Sequence, residues 1–472
     1  MAERRGSPAQ GAARAPLVAQ GAARALLVGL GASGEAVARH LLARGWTVVA
    51  VDDTPGEAGR GHARRLGVEL VEAPFPERLD RLVAGADMVV PSPGVPASHP
   101  VFGLAAGRGV PVRVEVELAW RATDLPMVAV TGTNGKTTVT TLVTRMLEES
   151  GVAAVAGGNI GLPLCDAVES DVDVVVAEVS SFQLQFVEAF RPAVAVWLNL
   201  AQDHLDWHPD LASYVAAKAR IWEHQDASDV AVVNAEDQVV MAAAEAAPSA
   251  VVTFGLGEVG GAGAGDYSVV DGMLRAPAGD LLPVAALPRA LPHDVSNALA
   301  AAAAALAAGA TVEGVRAALA GFGGLPHRLT LVAENGGVRW YDDSKATNPH
   351  AAVAAVCGFE SVVLVAGGRN KGLDLRPLAA AADRVRAVVA IGEAAPEVGA
   401  AFAGVRPVRV AESMDAAVRL AAAEASAGDA VLLSPGCASF DWYSSYAARG
   451  DDFARAVRDF LLKREVGNGI EN

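Results

Sequence analysis

One stretch constrains this chain more than any other. From Met127, the run MVAVTGTNGKTTVTTLVTRMLEES reads as an apolar strand, a glycine loop and a helix in direct succession. In Gly132-Thr133-Asn134-Gly135-Lys136-Thr137-Thr138 the backbone amides and the helix N-terminus are suited to cradle phosphate. Lys136 would neutralise the outer phosphates, and the Thr137 hydroxyl is within reach of a Mg²⁺ ion. An unliganded glycine turn has no need of strand, loop, lysine, hydroxyl and helix in that order. The loop is shorter between its glycines than the commonest spacing, which points to a variant ATPase class.

Two later strands extend the same pattern. Forty-two residues beyond Lys136, an apolar strand ends in Glu178, followed by Val-Ser-Ser-Phe-Gln-Leu. A carboxylate at a strand tip beside a phosphate loop is where a hard cation finds an oxygen ligand. The next strand end reads NLAQDHLDWH and carries Asp203, His204, Asp206 and His208; the spacing fits neither a paired-histidine zinc helix nor an EF-hand. His204 is positioned to complete a magnesium or substrate site. Lys218 follows in the Ala-rich helical run YVAAKARIW, where the ordinary expectation is a solvated ammonium. Lysine is scarce, however: only Lys136, Lys218, Lys345, Lys371 and Lys463 occur among 38 basic residues. In a chain that otherwise uses arginine, a surviving lysine can mark a place where a compact or reactive amine is wanted; Lys463, in the C-terminal helix, is read as chance, and local context decides for the other four.

Upstream, ALLVGLGASG sets Gly29, Gly31 and Gly34 in GxGxxG spacing after a strand, and a second strand ends in Asp52 and Asp53 about twenty residues later. A further strand, ADMVV, leads into Ser92-Pro93-Gly94. Downstream of GFGGLPHR, the segments VRWYDDS, SVVLVAGG, RAVVAIG and DAVLLSPG read as strands alternating with Ala-rich helices. With 472 residues, the expectation is a three-domain α/β chain. A disordered tail (1–23) precedes a Rossmann-like nucleotide-substrate domain (24–124), a P-loop ATP domain (125–325) and a Rossmann-like last domain (326–472). The glycine-rich 255–266 reads as a surface turn.

A net charge of −16 argues against binding to phosphate backbones or anionic lipid surfaces, so neither nucleic acid nor membrane insertion is expected. Three scattered cysteines support neither a disulfide framework nor a cysteine zinc site and favour a reducing cytoplasm. The alanine run 298–310 is too short to span a bilayer and fits a buried helix.

Taken in order, GLGASG, SPGV, GTNGKTT, GGNIG, EVSSFQL, DHLD, AAKARI, LPHRL, DDSKATNP, GGRNKG and SPGCASFD resemble the Mur ligase family from about Ala25 to the C-terminus. The resemblance implies an ATP-dependent amide ligase of peptidoglycan precursor synthesis. ATP would phosphorylate a substrate carboxylate, and an amino acid's amine would then displace phosphate. DSKATNP, GGRNKG and SPGCASFD together favour UDP-N-acetylmuramoyl-L-alanine as acceptor and D-glutamate as the amino acid; a monomer is expected.

By the same resemblance, Asn297, Arg328 and Asp343 join Gly132 to Thr138 around ATP. Glu178, His204, Thr137 and a carbamylated Lys218, made from CO₂, would hold two Mg²⁺ ions. Lys136, Glu178, His204 and Lys218 are the candidate catalytic residues. Ala32, Ser33, Asp52, Thr54, Ser92, Asn159, Ser180 and His204 would meet the UDP substrate, and Lys345, Thr347, Lys371, Ser439, Phe440 and Tyr446 would grip D-glutamate.

The chain departs from the family in two places. Asp294 replaces a usual asparagine, and a carboxylate cannot donate to adenine. Tyr446 stands where Phe is familiar, so its hydroxyl needs a partner if buried. Rival readings are weaker. An oxidoreductase leaves the second phosphate loop unexplained, a nucleotide-sensing module leaves the last domain's lysines idle, and a folylpolyglutamate-synthetase-like ligase has no use for the first domain. Another Mur-type ligase with a different amino acid is the nearest alternative.

Overall fold

The computed structural model describes residues 23–204, 207–257 and 265–468. All but the last residue of the expected tail, Asp206 of DHLD, and most of the glycine-rich 255–266 segment lie outside the described residues.

The first sheet has four parallel strands, Arg24–Val28, Thr47–Asp52, Glu69–Glu72 and Met88–Pro91, arranged third-second-first-fourth. Chain order reverses at Arg24–Val28, and Val28 is in register with both Val51 and Pro91. The crevice at that reversal opens beyond the strand ends carrying Gly29 and Ser92, the usual ligand position in an open α/β sheet.

The middle sheet has six parallel strands in the order Ala250–Phe254, Val230–Asn234, Val194–Trp197, Met127–Thr131, Val174–Glu178, Ala154–Gly158. Its central strands are runs of valine and alanine because helices cover both faces. The strand leading into the phosphate loop lies between the one ending in Glu178 and the one leading toward His204, so all three features emerge along one edge. The alanine-rich run lies in helix Pro292–Ala307, and Ala298 through Ala305 are all buried against helix Lys136–Glu149 and the sheet. A three-stranded antiparallel meander, Ser268–Val270, Met273–Ala276 and Gly279–Pro283, was not anticipated from the sequence.

The last sheet runs Thr330–Asn335, Val338–Asp342, Ala430–Gly436, Val362–Gly367, Val385–Ile391, Val408–Ala411; only the first strand is antiparallel. Its two edge strands escaped the sequence reading, being half exposed and short of a continuous apolar run. One segment between strands, Arg376–Arg384, is 3₁₀ rather than α-helical. No helix among the described residues is long and apolar enough to cross a membrane.

Candidate active site

The phosphate loop is held from behind. Gly135 has φ +85° and caps helix Lys136–Glu149; a Cβ there would lie 2.5 Å from Asn297 Oδ1, so only glycine fits. The amides of Thr133 and Asn134 both donate to Asn199 Oδ1 (3.1 and 2.9 Å), and Asn199 Nδ2 donates back to the Asn134 carbonyl at 3.1 Å. Asn199 stands in the NLAQDH motif, yet sequence reasoning passed over it. Lys136 folds across the loop, donating to the carbonyls of Gly132 (2.8 Å) and Thr133 (2.9 Å). Burial lowers its pKa, with Glu178 and Asp203 opposing that shift.

Beside the loop, Glu178 is buried at its strand tip. Its Oε1 accepts from Asn159 Nδ2 at 3.0 Å, while its Oε2 has no hydrogen-bond partner. A buried carboxylate oxygen left in that state is costly unless something cationic completes it. Lys218 is 1% exposed, contrary to the solvated face expected of such a helix. Its Nζ donates to the Gly132 carbonyl (2.9 Å) and Thr131 Oγ1 (3.4 Å), and lies 4.8 Å from the Tyr214 ring centre. Burial, then the neighbouring Lys136 charge, pushes its pKa well down.

His204 is exposed with φ +55°, and its amide donates to the side chain of buried Asp203 at 2.8 Å. His208 turns away, its Nε2 3.0 Å from Ser181 Oγ, and Ser180 spends its hydroxyl on a capping box with Gln183.

Among the described residues no three His, Cys, Asp or Glu side chains converge as a complete metal cage. The unpartnered Glu178 oxygen nevertheless fits Mg²⁺, which is commonly held by one or two carboxylates with phosphate oxygens and water completing the shell.

A cavity of about 140 Å³ opens between the middle and last sheets, lined by Asn134, Gly135, Asn297, Arg328, Asp343 and Lys345 among others. Asp343 accepts from Ser434 Oγ at 2.7 Å, and burial pushes its carboxyl up to about 7. Burial lowers the pKa of Arg328, with Asp343 opposing. The departure at Asp294 has a local cause: Arg289 Nε donates to its Oδ2 at 2.7 Å and a second guanidinium nitrogen to its Oδ1, so this carboxylate is an ion-pair partner.

The residues expected around D-glutamate divide. Lys345 lines the cavity between the middle and last sheets, its ammonium 3.7 Å from the centre of the Tyr446 ring, and Tyr446 is only partly buried. Thr347, Lys371, Ser439 and Phe440 do not line that cavity. Backbone bonds between Arg369 and Ala438 (2.8 and 3.0 Å) set the Lys371 and Ser439 loops side by side. Buried Arg449, which no sequence signal flagged, ties Ser344 to the Cys437 carbonyl beneath them.

A cavity of about 670 Å³ lies at the reversal point of the first sheet. It is lined by Ala32, Ser33, Asp52, Thr54 and Ser92 and, from the middle unit, Asn159. Gly34 is required because a Cβ there would meet the Gly29 carbonyl at 2.3 Å. Asp52 spends both oxygens on the amides of Leu30 (3.0 Å) and Thr54 (3.1 Å), and Ser92 Oγ donates to Gly29 O at 2.9 Å; both shape the loop.

Behind this wall sits buried Glu115, which the sequence reading did not single out. Its Oε1 accepts the Cys165 amide at 3.1 Å, its Oε2 is unpartnered, and burial raises its pKa from the ordinary 4.5 to about 7. The folded chain therefore holds a proton that the unfolded chain releases, and stability should fall as pH rises from 4.5 through 7, by about 3 kcal/mol at most. Glu115→Gln is expected to raise the melting temperature at pH 8 while leaving it nearly unchanged at pH 4. Equal shifts at both would refute this account.

A phosphate loop, an adjoining strand-end carboxylate with a buried lysine, and α/β units on either side define a phosphate-loop architecture suited to nucleotide-dependent chemistry. Three family models match in series: Mur ligase MurD-like, N-terminal domain, over residues 23–114; Mur ligase middle domain over 130–305; and Mur ligase, glutamate ligase domain, over 327–437. The chain belongs to the Mur ligase family. It is 47% identical to a protein of Frankia casuarinae across 90% of this chain and 92% of that one, and 46% identical to one of Desulfosudis oleivorans across 90% and 94%. Both relatives are named UDP-N-acetylmuramoylalanine--D-glutamate ligase. Among solved structures, MurF from Acinetobacter baumannii superposes with a TM-score of 0.59 at 20% identity, covering 94% of this chain and 93% of that one. UDP-N-acetylmuramate-alanine ligase MurC from Thermotoga maritima gives 0.56 at 19%, covering 94% and 99%. Those two likenesses speak for the fold.

Proposed function

We propose that this chain joins D-glutamate to UDP-N-acetylmuramoyl-L-alanine at the expense of ATP, as a monomeric cytoplasmic enzyme of peptidoglycan precursor synthesis. The observation that carries the reading is a shared edge. The phosphate loop and Glu178 emerge at the ends of adjacent strands, Lys218 donates to the Gly132 carbonyl, and Asn159, which donates to Glu178, lines the large cavity of the first sheet. The three domains correspond to 24–124, 125–325 and 326–472.

In the first step a carboxylate oxygen of the UDP substrate attacks the γ-phosphorus and ADP leaves, giving an acyl phosphate. The amine of D-glutamate then attacks the acyl carbon. The tetrahedral adduct collapses, the carbon–oxygen bond to phosphate breaks, and the amine's proton is lost as the amide forms. Lys136 steadies the charge on the transferring phosphoryl group, and the loop amides orient it in line. Bound Mg²⁺, held by Thr137, Glu178 and a carbamate on Lys218 with His204 nearby, would neutralise the phosphate oxygens. Lys218 suits that role because its lowered pKa leaves the neutral amine that CO₂ requires. Asn297, Arg328 and Asp343 would hold adenine, phosphate and ribose.

The reading is tested by mixing the protein with UDP-N-acetylmuramoyl-L-alanine, D-glutamate, MgATP and bicarbonate; ADP release that does not require both substrates sinks it. Lys371→Ala and Ser439→Ala should each raise the D-glutamate KM more than the ATP KM. Each removes a donor to a carboxylate, worth about 1.5 to 3 kcal/mol. Unchanged D-glutamate KM in both variants would remove these loops from the amino-acid site.

A further inference from the structure

Helix Pro349–Val356 of the last unit begins at Asn348, which is buried to 4% exposure. Its side-chain amide is fully engaged. Oδ1 caps the helix, accepting the Ala351 amide at 2.9 Å. Nδ2 crosses to the middle unit and donates to two acceptors: Asn134 Oδ1 of the phosphate loop at 3.1 Å and Asp203 Oδ2 at 3.1 Å. Each acceptor is tied in turn. Asn134 Nδ2 lies 3.0 Å from His350 Nδ1, and Asp203 Oδ1 accepts the amide of left-handed His204. With both donors and its acceptor spent, the amide has one satisfied orientation, because turned over it would set its oxygen against Asp203 and its NH₂ against a backbone N–H.

We infer that Asn348 is a positioning residue whose side chain makes docking of the last unit and alignment of the phosphate loop and His204 segment a single event. The inference rests on the ligase reading above and gives it a consequence: phosphoryl transfer proceeds at full rate only when the amino-acid-carrying unit is seated. Asn348 touches no reacting atom and acts through Asn134 and Asp203.

Asn348→Asp separates this role from the cap. Aspartate caps a helix as well as asparagine does, but it cannot donate and it sets a carboxylate against Asp203. In the full-length enzyme this variant is expected to lose about 30-fold or more in kcat, the scale of one charge-assisted and one neutral hydrogen bond, with the UDP-substrate KM within twofold of wild type. The double variant Asn348→Asp, Asp203→Asn, in which donor and acceptor change sides, should recover about tenfold of that loss. Small-angle X-ray scattering in MgADP should show a larger radius of gyration for the single variant than for wild type.

A kcat within threefold of wild type, a double variant no better than the single, or an unchanged radius of gyration would each overturn the inference. A wild-type protein that compacts through Asn348 yet releases no ADP with these substrates would leave the bridge standing and remove the ligase reading instead.

Discussion

Lys136→Ala is expected to abolish ATP-dependent ligation while leaving binding of the UDP substrate within a few-fold of wild type. The ammonium lies across the loop, already desolvated and bonded to the Gly132 and Thr133 carbonyls, so it is preorganised for an arriving phosphate. Loss of such a cation from a transferring phosphoryl group costs several kcal/mol, on the order of 10³-fold in rate or more. The large cavity contains no part of the loop, so its ligand should notice little. Calorimetric titration with the UDP substrate beside an ADP-release assay checks both halves. Equal loss of substrate binding would mean that the two sites had been assigned to the wrong units.

Lys218→Ala should be nearly inactive, for a different reason. A solvated lysine on an alanine-rich helix is dispensable, but this one is buried with its amine on the Gly132 carbonyl and its charge disfavoured. On the carbamate reading, the neutral amine would take up CO₂ and release a proton, and the residue would become an anionic ligand beside Glu178. Acetate should therefore restore part of the activity of Lys218→Ala by filling the vacated position. Lys218→Arg should stay inactive with or without it, since a guanidinium occupies the space with the wrong charge. Full activity in Lys218→Arg would show that only a cation is wanted, and the carbamate would have to be abandoned.

What the sequence disclosed follows from how each feature is encoded. The phosphate loop, Glu178 and the GxGxxG turn are local: a strand, its end and the next helix lie within twenty residues, and the chemistry needs particular residue types at fixed spacing. The importance of Lys218 was legible through the scarcity of lysine, its place just after the DHLD motif and the AAKARI resemblance, but not through its alanine-rich helix, which by itself reads as a solvated face. Long-range partnerships left no trace. Asn199 supports a loop 65 residues away, and Asn348 reaches one 214 residues away. The antiparallel meander and the edge strands were missed because half-exposed strands dilute the apolar pattern that marks the central ones.

The crowding between Gly135 and helix Pro292–Ala307 bears on how this enzyme should be dissected. Much of the packing between the phosphate-loop helix and helix Pro292–Ala307 is defined by atoms that are missing: no Cβ at 135, where Asn297 Oδ1 comes close, and no side chain beyond a methyl at seven of the eight positions from Ala298 to Ala305. Truncating mutagenesis is blind to such a surface, since most of these positions are already glycine or alanine. The informative scan runs the other way, adding methylenes one position at a time. Each enlargement would strain a filled interior by about 1 to 3 kcal/mol, and those nearest Asn297 would push it toward the loop. Inactivation here comes from gaining bulk rather than from losing a contact.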